Sequence, residues 1–226
     1  MNITDRLRQL DSTLKLHNEG FWQNEYDPDM RGYASFNDAG IEAETGEFLY
    51  GMVRVLKPTR ILETGTHFGI GASYMGMGLK DNNHGVLETF EFLPEIRKVA
   101  IERFQKMFLS PKWITSYLMD AKDFIPEFPD KPYKLILLDT EPQTRFAELI
   151  KFYPYLAPGG FVFIHDLHQH MHQVENAEHG FAWPYGKLPQ EIKDMVLTGH
   201  LRPFHFETPR GLTGFYKVDS NDYLWI

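Results

Sequence analysis

The chain has 226 residues, 42% of them hydrophobic and 24% charged, which is an ordinary composition for one globular domain with an ample core. Its formal net charge of −8 argues against a nucleic-acid backbone as a partner, since such binders need a basic face, and its lack of cysteine excludes disulfides and thiolate metal sites. We also expect no membrane span and a cytoplasmic location, because no apolar run is long enough to cross a bilayer and the first residues lack a signal-peptide core.

The N-terminal part of the chain predicts a helix and a covering loop. Apolar side chains at three- and four-residue steps over residues 3–16 predict an amphipathic helix, which packs on its own domain or, alternatively, pairs with a second subunit in a homodimer. Residues 20–40 are rich in glycine, aromatic residues and turn formers, which favours a loop. Helical spacing returns over residues 41–56. We therefore divide one globular unit into a helix and cover segment, residues 1–40, and a main domain, residues 41–226.

A glycine-rich stretch follows, TRILETGTHFGIGASYMGMGL, from Thr59 to Leu79. It predicts a short strand that ends in Glu63, a turn with glycines at positions 65, 69 and 71, and a helix over residues 72–80. Strand, glycine turn and helix in this order let backbone N–H groups approach a ligand at a helix N-terminus. The spacing acid-x-G-x-x-x-G differs from the G-x-G-x-x-G of dinucleotide binders. A carboxylate at this place would repel phosphates and suits an ammonium group.

Beyond this stretch, strands and helices alternate. Strands are predicted over residues 86–90, 113–119, 133–138 and 161–164, and helices over residues 94–108, 120–124, 144–153 and 188–198. Such alternation predicts a parallel sheet with helices on both faces. Two last strand-like runs, residues 200–207 and 212–218, are joined by four residues. So short a link predicts an antiparallel hairpin, because a parallel crossover needs a longer connection.

The glycine-rich stretch resembles motif I of the class I S-adenosylmethionine-dependent methyltransferases, and is closest to the catechol-type and macrocin-type O-methyltransferase branch that carries E-x-G-T-x-x-G. The resemblance covers roughly residues 41–218. It implies a Rossmann-like α/β fold, with a mostly parallel seven-stranded sheet, a C-terminal antiparallel hairpin and helices on both faces. It also implies S-adenosylmethionine as cofactor and a small-molecule methyl acceptor, with a hydroxyl oxygen as the expected acceptor atom.

The resemblance assigns cofactor-binding roles to residues at the carboxyl ends of the strands, where open α/β sheets bind ligands. Glu63 anchors the methionine ammonium, Glu91 binds the ribose hydroxyls, and Asp120 receives the adenine amino group. Glu91 is alternatively an exposed strand-end charge, and Asp120 is also a helix N-cap, which is compatible with the cofactor role. The other implied cofactor contacts are Gly65, Thr66, Gly69, Gly71, Ser73, Phe92, Ala121 and Asp139.

Three residues fall where the resembled enzymes hold a divalent metal and face the transferring methyl group: Asp139, His165 and Asp166. His165 replaces an acid of the family pattern. All-oxygen sites suit Mg²⁺, whereas an imidazole shifts the preference towards Mn²⁺, Fe²⁺ or Zn²⁺. Alternatively no metal is bound and His165 is the general base, since an unperturbed pKa of about 6.5 suits removal of a hydroxyl proton.

The segment after this site holds further histidines, at positions 168, 170, 172 and 179, beside Trp183-Pro184-Tyr185. We interpret it as a substrate loop in preference to a metal site. Arg210 is expected at the surface, with binding of an anionic substrate as the alternative. Two other functions stay open, a nucleotide-cofactor (NAD-type) oxidoreductase and a non-catalytic cofactor-binding protein.

Overall fold

The computed structural model describes residues 1–17, 34–36, 40–126, 130–141, 143–167, 188–206, 208 and 210–219. Most of the predicted cover segment, residues 18–33 and 37–39, therefore lies outside the described residues. The helices are α1 (Ile3–Leu10), α2 (Ala43–Leu56), α3 (Ile70–Asn82), α4 (Pro94–Lys106), α5 (Arg145–Phe152) and α6 (Gln190–Leu197). The strands are β1 (Arg60–Thr64), β2 (Val86–Glu91), β3 (Ile114–Leu118), β4 (Tyr133–Leu138), β5 (Leu156–His165), β6 (Leu201–Phe206) and β7 (Leu212–Lys217). Two 3₁₀ turns lie at Ala121–Asp123 and Tyr153–Tyr155.

The strands form one seven-stranded sheet in the order β3-β2-β1-β4-β5-β7-β6. Strands β1 to β5 pair in parallel, and β7 is antiparallel to both β5 and β6. This confirms the predicted α/β fold with a C-terminal hairpin. Because the first five strands point the same way, their carboxyl ends meet at one edge of the sheet.

The core lies on both faces of the sheet, because successive side chains of a strand point to opposite faces. In β4, Leu135 and Leu137 join the cluster that contains residues of α1 to α4. Ile136 and Leu138 join the opposite cluster with α5 and α6. All four side chains are fully buried, which explains the continuous apolar run in the sequence. Among the described residues, no helix is long and apolar enough to cross a bilayer.

Two predicted boundaries are wrong. Helix α1 ends at Leu10 and not at residue 16, because the carboxylate of Asp11 accepts hydrogen bonds from the backbone N–H and hydroxyl of Thr13 and so favours a turn. Strand β5 begins at Leu156, five residues before the predicted start at 161, and includes Pro158-Gly159-Gly160. A register irregularity opposite Tyr133, with Gly159 at φ 66°, lets the strand continue through that sequence.

Candidate functional site

The glycine turn after β1 is held tightly against the neighbouring strands. Gly65 has φ +78°, and a Cβ at this position would lie 2.3 Å from the backbone oxygen of Asp139 at the end of β4. The N–H of Thr66 donates to the carbonyl of Phe90 at 2.9 Å. Gly69, with φ +77°, is the N-cap of α3. Glycine is needed at both positions, because an added side chain would strain the backbone and collide with a neighbour.

Glu63 ends deep beneath this turn. Its side chain is 2% exposed, and one carboxylate oxygen accepts the hydroxyl of Thr89 at 2.5 Å. A Cβ at Gly71 would lie 2.6 Å from its other oxygen, so glycine there makes room for the carboxyl group. Burial raises the pKa of Glu63 to about 8, with a further contribution from the charge of Asp139. A carboxyl in this state gains most from a cationic partner, which would favour its ionised form.

Glu91 lies at the end of β2 and is 6% exposed, so it is not the exposed strand-end charge of the alternative interpretation. One oxygen accepts the backbone N–H of His67 at 2.9 Å, and the other accepts that of Leu93 at 2.9 Å. The carboxylate thus joins the glycine turn to the start of the next segment. Beside it, the ring of Phe92 is 58% exposed at the carboxyl edge of the sheet, where a flat ligand could lie against it.

Asp120 and Ser73 both have local partners. The carboxylate of Asp120 caps the following 3₁₀ turn by accepting the N–H of Lys122, and it forms an ion pair with the Lys122 ammonium at 2.8 Å, which lowers the pKa of Asp120. Ala121 behind it is buried. The hydroxyl of Ser73 is fully buried and donates to the carbonyl of Gly69 at 2.6 Å within its own helix. We therefore leave Ser73 out of the proposed cofactor contacts.

Asp139, His165 and Asp166 come together as predicted, with one candidate ligand atom from each within 4.8 Å of the others. Nδ1 of His165 lies 2.9 Å from Asp139 and 3.5 Å from Asp166. Asp166 has φ 54°, so the chain turns sharply at the end of β5 and brings its carboxylate back to the imidazole. The histidines at positions 168, 170, 172 and 179 lie outside the described residues.

A fourth member of this cluster, Glu42, was missed in the sequence. It is the residue before α2, and its Oε2 lies 2.7 Å from Nε2 of His165. Both side chains are 1% exposed, and the other oxygen of Glu42 has no hydrogen-bond partner among the described residues. The two residues are 123 positions apart in the chain, so no local pattern could have paired them.

The imidazole of His165 is held between carboxylates on both sides. Burial alone would lower its pKa, but the charges of Asp166, Asp139 and Glu42 outweigh burial and raise the pKa to about 10. Burial alone would raise the pKa of Glu42, but its hydrogen bond to His165 and the charges of His165 and Arg210 outweigh burial and lower it. His165 is therefore an imidazolium near neutral pH and donates from both ring nitrogens. In that state it cannot accept a proton from a substrate, which argues against His165 as the general base.

Two arginines complete the cluster. Arg210 meets the carboxylate of Asp166 side-on, with Nε at 2.7 Å and Nη2 at 2.9 Å, and it also donates to the carbonyl of Gly40. Nη2 of Arg145 lies 3.4 Å from both Asp139 and Asp166. Arg210 is 9% exposed, so the expectation of a surface arginine is wrong. We call these six groups the charge cluster: the carboxylates of Glu42, Asp139 and Asp166, the guanidinium groups of Arg145 and Arg210, and the imidazolium of His165. Their formal charges sum to zero.

The charge cluster does not fit a divalent metal well. The contact between Glu42 and His165 is one that a metal-bound histidine also makes, because such a histidine donates its second nitrogen to a carboxylate. However, a metal at the other nitrogen must displace the proton shared with Asp139. It must also approach Asp139 and Asp166 although Arg145 and Arg210 already neutralise both carboxylates. The guanidinium groups hold the positions that a cation would take.

Comparison with known proteins agrees with this geometry. Residues 62–167 match a family model described as a methyltransferase domain. A protein of Mycobacterium sp. (strain JLS) named "Putative O-methyltransferase" is 24% identical over 57% of this chain and 59% of its own length. One from Mycobacteroides abscessus with the same name is 27% identical over 55% of this chain and 57% of its own. The chain thus spans less than two thirds of these relatives.

Solved structures share the fold at low sequence identity. The O-methyltransferase from Bacillus cereus in complex with SAH superposes with a TM-score of 0.67 at 14% identity, over 80% of this chain and 84% of that one. The O-methyltransferase TomG from Streptomyces achromogenes, in complex with SAM, has a TM-score of 0.62 at 16% identity, over 97% and 100% of the two chains. With the sheet order and the glycine turn, these matches show that the chain has the fold of these O-methyltransferases, and the match to the methyltransferase domain covers slightly less than half of it.

Proposed function

We propose that this protein transfers a methyl group from S-adenosylmethionine to a hydroxyl oxygen of a small molecule and that it does so without a divalent metal. The observation that carries the proposal is the position of the charge cluster (Glu42, Asp139, Arg145, His165, Asp166 and Arg210). It lies at the carboxyl edge of the sheet, directly beside the glycine turn, since Gly65 packs against the backbone of Asp139. One edge thus offers both a cofactor site and a polar site for an acceptor.

The residues of the edge fit the cofactor by their chemistry. Glu63 offers a buried carboxyl group for an ammonium, and Phe92 offers an exposed ring for a flat base. Glu91 and Asp120 lie at the ends of the next two strands, but each carboxylate already has a protein partner. We therefore expect Asp120 to exchange its contact with Lys122 when the adenine binds. Within this proposal, Glu91 accepts a ribose hydroxyl while it keeps its backbone contacts.

Methyl transfer needs the acceptor oxygen held in line with the donor and relieved of its proton. S-adenosylmethionine, held through its ammonium by Glu63, would supply the methyl group to the acceptor oxygen. Asp139 takes the hydroxyl proton, because its carboxylate side chain is 15% exposed at the edge of the cluster whereas His165 is buried and already protonated. The imidazolium and Arg145 contact the carboxylate of Asp139 and fix its direction.

Other functions have weaker support. A nucleotide-cofactor oxidoreductase would have to place phosphates beside Glu63, and none of the matches above is to such an enzyme. A non-catalytic cofactor-binding protein has no need of a charge cluster at the acceptor position. The cluster of six ionisable groups instead matches what an acceptor hydroxyl needs, a proton acceptor held in a fixed direction.

The test uses the full chain in three steps. Calorimetric titration with S-adenosylhomocysteine, and separately with NADH, should show binding of the first alone. Methyl-labelled S-adenosylmethionine is then incubated with a library of phenols and aliphatic alcohols, and we expect labelled methyl ethers. Binding of NADH, or binding of S-adenosylhomocysteine with no labelled product from any acceptor, would count against the proposal.

The third step separates the metal-free mechanism from the metal-assisted one. With the acceptor found in the screen, turnover should be unchanged by EDTA and by added Mg²⁺ or Mn²⁺. Asp139→Asn should lower kcat by about 100-fold or more, the usual scale for loss of a proton-transfer group. Glu141→Gln is the matched control, because Glu141 is an exposed acid two residues further along the same loop. Loss of turnover in EDTA, restored by one metal, would overturn the metal-free mechanism.

A further inference from the structure

The N-terminal helix is connected to the glycine turn by buried charges. Asp11 follows α1 directly, and its side chain is 1% exposed. Its carboxylate lies 3.1 Å from Nε of Arg103 and 3.1 Å from the ammonium of Lys106, both on α4. Burial alone would raise the pKa of Asp11, but its contacts with Thr13, Lys106 and Arg103 outweigh burial and lower it to about 2. Asp11 is therefore a carboxylate at any pH at which the protein works.

Arg103 uses the other end of the same guanidinium to reach the turn. Its Nη1 donates to the backbone carbonyl of Phe68, and its side chain is 9% exposed. The planar guanidinium can meet a carboxylate with Nε and a carbonyl with Nη1 at once, which a lysine ammonium cannot do in the same geometry. Arg103 on α4 thus links Asp11, directly after α1, to the glycine turn.

Phe68 occupies the middle of the glycine turn. The peptide between Thr66 and His67 is fixed because the N–H of His67 donates to Glu91, and the N–H of Gly69 donates to the carbonyl of Thr66 at 2.8 Å. Because a peptide unit is planar, fixing the carbonyl of Phe68 also fixes the direction of the Gly69 N–H. A Cβ at Gly69 would lie 2.7 Å from the ring of Phe104, so α4 packs directly against this turn.

We propose that Asp11 and Arg103 are positioning residues for cofactor binding, which act by holding the glycine turn in its binding conformation. Asp11 lies outside residues 62–167, the part of the chain that matches the methyltransferase family. The inference rests on the proposed function only in that the turn binds the cofactor. Under this proposal Asp11, which precedes the matched region, contributes to the affinity of that site.

The test compares two anchors of α1. Asp11→Asn removes the charge of Asp11 and conserves its shape. Arg103→Lys conserves the positive charge but weakens the link to the turn. Asp81→Asn is the matched control, because Asp81 also anchors α1, through Arg6 at 2.5 and 2.9 Å, but lies at the far end of α3 from the turn. Each protein is titrated with S-adenosylhomocysteine by calorimetry, and its unfolding by urea is measured in parallel.

We expect Asp11→Asn and Arg103→Lys to weaken S-adenosylhomocysteine binding by about 10-fold, since small misplacements of a binding group have effects of this order or larger. Asp81→Asn should bind within about twofold of wild type although it too loses stability. In turnover assays, Asp11→Asn and Arg103→Lys should raise KM for the cofactor and leave kcat unchanged. Equal binding by Asp11→Asn and wild type, or equal weakening by Asp81→Asn, overturns the inference. If wild type itself does not bind, the proposed function fails instead.

Discussion

The buried pair of Glu42 and His165 gives the sharpest quantitative prediction. In wild type the imidazolium lies between Glu42 at 2.7 Å and Asp139 at 2.9 Å, and the first pair is almost completely buried. Glu42→Gln keeps the shape but removes one charge, and His165→Asn removes the imidazolium and leaves Glu42 as an uncompensated buried carboxylate. Breaking a buried ion pair from one side costs about 3–5 kcal/mol. We expect each single variant to lose stability on this scale.

The double variant Glu42→Gln/His165→Asn should be less destabilised than the sum of the two single changes, because it leaves no unpaired charge at this contact. Interaction energies between contacting residues are about 0.5–3 kcal/mol, and we expect the upper half of that range here. Urea unfolding of the four proteins at neutral pH measures the energy directly. Additivity within about 0.5 kcal/mol would show that the two residues are not coupled, which would refute the reasoning.

The same pair predicts a dependence of stability on pH. The pKa of His165 is raised from 6.5 to about 10, so the native state holds a proton that the unfolded chain loses. The stabilisation is complete below the unfolded pKa and is lost as the pH rises through about 10, with a slope of about 1.4 kcal/mol per pH unit in between. Glu42→Gln should shift the imidazole titration, followed by NMR, to lower pH and narrow the pH range over which stability falls. His84→Asn, at an exposed histidine, is the control that should leave the slope unchanged. An imidazole that titrates below about pH 7 in wild type would contradict the assignment.

Three further predictions concern the glycine turn and Glu63 beneath it. Gly65→Ala should abolish measurable binding of S-adenosylhomocysteine in calorimetry, because the residue has φ +78° and its Cβ would lie 2.3 Å from a backbone oxygen, whereas Gly51→Ala, with open space around its Cβ, should bind normally. Binding by wild type should strengthen as the pH rises through about 8, because Glu63 must lose its proton to pair with an ammonium, and Glu63→Gln should bind weakly with no such pH dependence. Without ligand, Glu63 should make the stability of wild type fall between the unfolded pKa of 4.5 and about 8, since only the native state keeps its proton. In urea unfolding, Glu63→Gln should remove this contribution and leave only the fall from His165 above pH 6.5. Normal binding by Gly65→Ala, or the same pH profile in wild type and Glu63→Gln, would contradict these expectations.

The local sequence predicted the elements and the place of the site. The apolar run at 135–138 and the glycines at 65, 69 and 71 each specify a local conformation that tertiary contacts leave in place. Because parallel strands carry their carboxyl ends to one edge, the convergence of Asp139, His165 and Asp166 followed from the order of the strands. The predicted last residue of α1 and the predicted first residue of β5 were wrong. The side-chain turn at Asp11 and the bulge at Gly159 depend on single contacts and not on periodicity.

The sequence alone therefore determined that a glycine turn and several carboxylates share one edge of an α/β sheet, since the alternation of strands and helices along the chain can be read from local patterns and predicts parallel strands. Only the tertiary structure determined the ion-pair partners and the protonation states of those groups. Glu42 contacts His165 and Arg210 contacts Asp166, although these partners lie far apart in the sequence. No local pattern around Glu42 or Arg210 predicts these contacts. The protonation of His165 depends on the summed field of charges brought within a few ångströms in a buried site, which no run of neighbouring residues encodes.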